Sequence, residues 1–358
     1  SRGTKTMAMV KAFSYGSGSY EIANVLQFHR VDYLAVAYAD EGVELRKAGI
    51  NLPVMVMSPE EHSLDTLLKF NLEPEIYNLH ILNLLEEAVA RNQTAGQQQV
   101  RIHIKLDTGM HRLGFDSREL DALVLRLQQN PDLRVQSVFS HLAASEDPAE
   151  DDFTRSQIGR FEEMSSRVTR VLGYPVLRHM VNSAGIHRFP GSHFDMVRLG
   201  IGLYGVGSDQ EEQAKLRNVS TLKSVITQVK HIAAGESIGY NRKGVAAKEM
   251  DIAIVPVGYA DGLNRRLGNG RGRMYVNGKP APIVGNICMD LTMIDVTAIP
   301  GDSPDEEGNL NRAVKEGDTV VIFGDQHPVA VLAREMGTIP YEVLTAISRR
   351  VKRIYYYE

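Results

Sequence analysis

Up to about Gly205 the chain repeats one pattern, a short run of branched and apolar residues followed by a longer stretch with helical spacing. Candidate strands fall at 6–11, 33–38, 54–57, 75–77, 100–107, 135–141, 177–182 and 195–199, with helical stretches at 20–30, 40–48, 81–91, 117–129 and 154–172 between them. Eight such units close a parallel barrel. An open, doubly wound sheet has no reason to stop at eight. Nor does it need the run Arg101-Ile102-His103-Ile104-Lys105-Leu106-Asp107, whose apolar phase can face helices while its polar phase points to a barrel's axis or mouth. The predicted class is therefore α/β, a (β/α)8 TIM-type barrel over 1–207 followed by a mostly β domain over 208–358.

The second domain is read from a change of grammar. Strand-like segments at 225–231, 251–258, 273–276, 283–290, 293–296 and 319–323 are separated by turn pairs such as Asn269-Gly270, Asn277-Gly278 and Pro300-Gly301. The acidic stretch 301–311 reads as a surface insertion, and 331–348 as containing one helical segment. With 358 residues, 43% of them hydrophobic, the chain can fill two cores. A net charge of −4 carries no basic excess, so small molecules or further copies of the chain are expected as partners rather than nucleic acid. Cys288 is the one cysteine, which excludes an intramolecular disulfide and suits a reducing cytoplasm. No run reaches the roughly 18 apolar residues of a membrane span, and no signal-peptide pattern opens the sequence, so no membrane association is expected.

In a barrel the C-terminal ends of the strands meet on one face. Lys11, Lys105 with Arg112, His141, Asn182-Ser183 and Arg198 all fall at or just past predicted strand ends. Each has a plain alternative: a solvated lysine, a surface arginine, a satisfied core histidine, a helix cap. Sharing one rim, they suggest a site. A lysine at the mouth of a buried strand loses solvation and becomes a nucleophile toward carbonyls. Beside Lys11, Gly16-Ser17-Gly18 and Tyr15 offer backbone N–H groups and a hydroxyl to an anion.

The segment Met9-Val10-Lys11-Ala12-Phe13-Ser14-Tyr15-Gly16 resembles the cofactor-lysine motif of alanine racemases, fold-type III pyridoxal-phosphate enzymes. The resemblance continues in order through Lys105-Leu106-Asp107-Thr108-Gly109-Met110-His111-Arg112-Leu113-Gly114, Ser140-His141, Asn182-Ser183-Ala184 and Val197-Arg198-Leu199-Gly200-Ile201. It extends to Val257-Gly258-Tyr259-Ala260-Asp261-Gly262 and Gly285-Asn286-Ile287-Cys288-Met289-Asp290, so it covers nearly the whole chain.

The resemblance implies pyridoxal 5′-phosphate joined to Lys11 as a Schiff base, and no metal. It places Tyr15, Ser183 and the backbone at Gly200 and Ile201 on the phosphate, with His141 and Asn182 among the surrounding cofactor contacts and Arg198 facing the pyridine nitrogen. Arginine cannot take the ring proton, which favours racemisation over the cofactor's other reactions. Lys11 would serve one face of the α-carbon. Tyr240, nineteen residues before Tyr259, would serve the other, its phenol helped toward the anion by His141 and Arg198.

By the same resemblance Arg112 and Met289 bind the substrate carboxylate, and Tyr259 and Asp290 shape the entrance. Tyr240 and Met289 would reach the site of a partner subunit, giving a homodimer with shared active sites. An ammonium on Lys105 close to Arg112 would be repelled, so Lys105 is either neutral or, as the resemblance suggests, carbamylated. The implied function is interconversion of L- and D-alanine, with D-alanine going to peptidoglycan.

Three departures from the family's pattern stand out: only ten residues precede Lys11, where the family has a further strand and helix; Arg349 stands where a tyrosine is usual; and 301–311 is added. Alternatives are a basic amino-acid decarboxylase of the same fold, to which Cys288 gives some weight and Arg198 speaks against, a racemase of broader specificity, and a non-enzymatic cofactor carrier.

Overall fold

The computed structural model describes residues 3–92, 99–299 and 314–356. The expected insertion at 301–311 lies outside them. The chain divides into two units, Ser1–Leu203 with Gly207–Leu216, and Tyr204–Val206 with Arg217–Glu358.

Eight parallel strands close the barrel of the first unit in sequence order. They are β1 (Lys5–Met9), β2 (Tyr33–Val36), β3 (Val54–Val56), β4 (Glu73–Ile76), β5 (Val100–Lys105), β6 (Leu133–Phe139), β7 (Leu177–His179) and β8 (Met196–Leu199), with β1 also pairing β8. Their outward side chains, among them Ala8, Leu34, Val54, Ile76, Ile102 and Val138, join Leu26, Leu45, Leu67, Leu85, Leu123 and Phe161 of the helices in one buried cluster. At about 25 cal/mol per Å² of apolar surface removed from water, this layer dominates the unit's stability.

The inward residues follow the other parity. Glu73 and Glu75, His103 and Lys105, Phe139, His179 and Arg198 are all buried. Strand β6 shifts register against β5, so that Ile102 pairs with Val135 but His103 pairs with Ser137. The extra residue, Gln136, is a β-bulge that brings Ser137 into phase with His103. Helices at Leu64–Lys69 and Ser183–Arg188, too short to show a clear period, complete connections that the sequence pattern had not filled.

The second unit is built on a seven-stranded sheet in the order β10-β13-β16-β15-β14-β17-β9. Its strands are β9 (Leu222–Val225), β10 (Gln228–Ile232), β13 (Met250–Val255), β14 (Arg273–Val276), β15 (Lys279–Val284), β16 (Thr292–Asp295) and β17 (Thr319–Phe323). Every pairing in it is antiparallel. A small hairpin of β11 (Ser237–Ile238) and β12 (Gly244–Val245) accompanies it.

The segment expected as one strand at 225–231 is two, because Ile226 N–H bonds Asp318 O while Thr227 N–H bonds Ile254 O, turning the chain from one neighbour to the other. The segment expected at 283–290 leaves the sheet after Val284. There Gly285 adopts φ +67° with the Ile238 carbonyl 2.8 Å from where a Cβ would sit. The helical segment expected within 331–348 is two helices, Val329–Met336 and Pro340–Ala346, divided by left-handed Gly337 and restarted by Pro340. No helix among the described residues is long and apolar enough to cross a membrane.

Candidate active site

Strand β1 ends at Met9, two residues before Lys11. Lys11–Tyr15 then makes a single helical turn in which Ala12, Phe13, Ser14 and Tyr15 have φ of 53°, 56°, 50° and 51°. A left-handed turn of L-residues costs about 1–2 kcal/mol per residue. Bonds from Ser14 N–H to Val10 O (3.0 Å), Gly16 N–H to Ala12 O (3.1 Å) and Gly18 N–H to Phe13 O (3.0 Å) offset part of this. Glu41 adds a clamp, accepting Ala12 N–H on Oε1 at 2.6 Å and Ala37 N–H on Oε2 at 2.7 Å.

The strand expected to run through Lys11 therefore stops at Met9, two residues short of it. Four non-glycine residues that no composition cue marks carry the unusual backbone, followed by Gly16 at φ +80° and Gly18 at φ +107°. The turn buries Tyr15, whose hydroxyl stands 3.3 Å from where a Cβ on Gly200 would be. Ser183 Oγ accepts Gly200 N–H at 2.9 Å and Gly202 N–H at 3.2 Å, keeping its own proton to donate. Ile201, buried, opens the 3-10 turn that follows. Burial lowers the Lys11 amine from its ordinary value, with the Arg112 charge adding to the effect and Glu41 opposing it.

Asn182 takes the plain reading: its Oδ1 accepts Gly185 N–H at 2.9 Å and the Ser145 hydroxyl at 2.8 Å, capping the helix that begins with Ser183. Arg112 lies exposed on a loop pinned by Asp107, which accepts Gly109 N–H and His111 N–H at 3.0 Å each. Gly114 closes that loop at φ +127°, where a Cβ would meet Asp107 N at 2.7 Å. The charge of Arg112 is felt at Lys11, Glu75, Lys105, His141 and Arg198, so the rim residues predicted from strand ends do share one neighbourhood.

Arg198 is fully held by the barrel. Its Nη2 faces Ser140 O (2.7 Å), Met180 O (2.8 Å) and His141 Nδ1 (3.0 Å), and Nη1 donates to His179 Nδ1 at 2.9 Å. Burial brings its pKa down to about 10, against the pull of Glu75, so it remains a cation at neutral pH. Burial and the Arg198 charge hold His141 and His179 well below the usual histidine range, and both rings are neutral.

For Lys105 the sequence offered a neutral amine or a carbamate, and the structure adds Glu75, whose Oε1 lies 3.1 Å from Nζ with both side chains buried. Burial pushes the Glu75 carboxyl up to about 7 despite Lys105, and lowers the Lys105 amine despite Glu75. Phe139 fills the axis beside them, stacked on His179 at 5.0 Å, with Lys105 Nζ and Arg198 Cζ each 5.3 Å from its centroid.

In the second unit Tyr240 stands in the turn of the β11–β12 hairpin, its carbonyl accepting Asn286 Nδ2–H at 3.2 Å and the residue 68% exposed. Gly258 lets the 258–262 turn close on the 288–290 loop, since a Cβ there would be 2.3 Å from Met289 O. Tyr259 N–H bonds Cys288 O at 3.0 Å, and Ala260 N–H bonds Met289 O at 3.1 Å. Arg350 ties Asp261 to Asp290 with 2.7 Å contacts to each. Tyr259, Met289 and Asp290 are thus assembled together, with Tyr259 43% and Met289 53% exposed. Sequence reading missed Glu41, Glu73, Glu75, Ser137 and Arg350.

The family model of the alanine racemase N-terminal domain matches residues 1–208, and that of the alanine racemase C-terminal domain matches 219–355. Alanine racemase 2 of Caldanaerobacter subterraneus subsp. tengcongensis is 37% identical, covering 99% of this chain and 88% of that protein. The alanine racemase structure from Clostridium difficile 630 superposes with a TM-score of 0.88 at 31% identity, over 99% of this chain and 90% of that one. That of the Bartonella henselae enzyme, with covalently bound pyridoxal phosphate, superposes with a TM-score of 0.85 at 28% identity, over 99% of this chain and 93% of that one.

Proposed function

The chain belongs to the alanine racemase family, and we propose that Lys11 and Tyr240 are the opposed bases with which it interconverts L- and D-alanine. The observation that carries this reading is the Lys11 turn, which sets a depressed lysine amine beside an anion cradle of Tyr15, Ser183 and Gly200.

Pyridoxal 5′-phosphate fits those residues. The hydroxyls of Tyr15 and Ser183 and the backbone at Gly200 and Ile201 suit a phosphate dianion, and a Cβ on Gly200 would intrude on that space. His141 and the Asn182 cap would support the same pocket. Bound there and joined to Lys11, the cofactor would draw electrons from the substrate α-carbon and make its proton removable. Arg198 would meet the ring nitrogen with donors that do not accept a proton, which supports return of the proton to the same carbon. Lys11, its amine free at lower pH than an ordinary lysine, takes or returns the proton on one face.

Tyr240 serves the other face from a partner subunit. Its exposure, with that of Met289 and Tyr259, supports a homodimer in which each β domain completes its neighbour's site. In that arrangement Arg112 and the Met289 N–H hold the carboxylate, with Tyr259 and Asp290 at the entrance. A carbamate on Lys105 stays within the proposal, with Glu75 then protonated and donating to it, a state that burial favours. We place the enzyme in the cytoplasm, supplying D-alanine for peptidoglycan.

Purified protein supplied with pyridoxal phosphate should abolish the circular dichroism of L-alanine over time and show a visible absorption band, and Lys11→Ala should lose both. Release of carbon dioxide from lysine or ornithine without racemisation would instead support the decarboxylase reading. Carbon-13 bicarbonate should give a carbamate resonance that Lys105→Ala removes; its absence from the unmutated protein would remove the carbamate.

A further inference from the structure

Arg198 is gripped from one side by a polar chain that crosses the barrel interior. Nη1 lies 2.9 Å from His179 Nδ1, and His179 Nε2 lies 2.9 Å from Ser137 Oγ. Ser137 Oγ lies 2.7 Å from His103 Nδ1, and His103 Nε2 lies 2.9 Å from Glu73 Oε2. All five side chains are buried.

The direction of every proton follows from one end. A guanidinium only donates, so His179 Nδ1 must accept and its ring proton must sit on Nε2. That proton goes to Ser137, whose hydroxyl proton is then free for His103 Nδ1, and His103 gives its Nε2–H to Glu73. A carboxylate only accepts, so the chain closes with each contact matched donor to acceptor. Phe139, stacked on His179 at an interplanar angle of 6°, fixes the plane in which this happens.

We propose that Glu73, His103 and Ser137 are positioning residues for Arg198, a one-way hydrogen-bond chain that locks His179 as the Nε2–H tautomer and so aims the guanidinium. This rests on the placement of Arg198 at the cofactor ring proposed above. Without the chain, His179 can turn an N–H toward Arg198 and the two donors oppose each other. The Glu73 carboxyl stays below its usual range although burial pushes it up, because the hydrogen bond from His103 and the charge of Arg101 pull harder, so the terminal acceptor is ionised. The Gln136 bulge gains a purpose here, since in an unbulged strand of the same length Ser137 would face the helices.

The test is a double-mutant cycle on the cofactor-loaded enzyme, read together with nitrogen-15 histidine spectra. Ser137→Ala should lower kcat for alanine by about tenfold, the range seen when an outer hydrogen-bond partner is removed, while leaving KM nearly unchanged. Ser137→Thr should restore the rate. Glu73→Gln keeps an acceptor but loses the charge and should lower kcat several-fold. The double variant should be no slower than Ser137→Ala alone, because the chain is already cut. Additive losses, or a drop in Tm with kcat unchanged, would overturn the proposal. In the spectra His179 should carry its proton on Nε2, and a proton on Nδ1 would also overturn it. That readout does not depend on turnover, so failure to racemise alanine would count against the racemase reading and leave the tautomer tested.

Discussion

Replacing Glu75 by glutamine should make the barrel more stable as the pH rises, not less. Glu75 is wholly enclosed and has Lys105 at 3.1 Å, so removing it looks like breaking a buried ion pair, a change that commonly costs about 3–5 kcal/mol. The carboxyl nevertheless sits at about 7 rather than 4.5, because burial outweighs the Lys105 charge. It therefore binds its proton more tightly in the folded chain than in the unfolded one. The stability it contributes is complete below the unfolded value and is lost as the pH climbs through about 7.

At about 1.4 kcal/mol per tenfold change in affinity, that loss amounts to about 3 kcal/mol. Glutamine has no such loss, and Lys105, deprived of its counter-charge, sheds its proton more readily. The chain has no tryptophan, so unfolding in urea is followed by far-UV ellipticity, in carbon-dioxide-free buffer to keep Lys105 unmodified. Between about pH 5 and pH 8, Glu75→Gln should gain up to about 3 kcal/mol on the unmutated protein. A gap of similar size opening the other way would refute the reasoning, since it would mean that the ionised pair is a net stabiliser. A gain would identify Glu75 as a residue kept for the site at the expense of the fold.

Arg112 lowers the Lys11 amine, so Arg112→Gln should move the midpoint of pyridoxal-phosphate attachment to higher pH, and Glu41→Gln, which removes an opposing anion, should move it lower. Stopped-flow absorbance across a pH series reads both, and equal midpoints in all three proteins would dismiss the charge coupling. Gly114→Ala forces a Cβ against Asp107 N at φ +127° and should cost about 1–3 kcal/mol while raising KM through displacement of Arg112. Thermal unfolding and steady-state kinetics check the two halves of that statement. Arg350→Ala breaks two exposed ion pairs and should change stability by less than about 1 kcal/mol, yet raise KM by freeing Asp290; an unchanged KM would remove Arg350 from the site.

The barrel was legible because short apolar runs recur between helical stretches, and because β5 is long enough for the inside–outside alternation to survive. His103 and Lys105 were read as inward from one heptapeptide, and both are buried on the axis. The same logic could have found Glu73 and Glu75, which are also two apart and lie on the strand paired with β5. The expected strand began at 75, so Glu73 fell into a loop and Glu75 looked like a strand terminus. Ser137 was out of reach, since the Gln136 bulge reverses the parity that identifies an inward residue. The left-handed turn at Ala12–Tyr15 was equally hidden, because it is imposed by Glu41 and the surrounding backbone rather than by its own residues. Arg350 belongs to contacts with Asp261, 89 positions away, and Asp290, 60 away, a separation no local pattern records.

That bulge also sets a rule for inheritance. Any substitution at Gln136 leaves the count of residues in β6 intact, and with it the seating of Ser137 and Phe139 inside the barrel and Val138 among the helices. Loss of the single codon would keep that seating too, since Ser137 would then follow Val135 directly as the regular partner of His103, whereas loss of Val138 beyond the bulge would turn Phe139 toward the helices. At the bulge a change of length is absorbed, and two residues further along the same strand it is not.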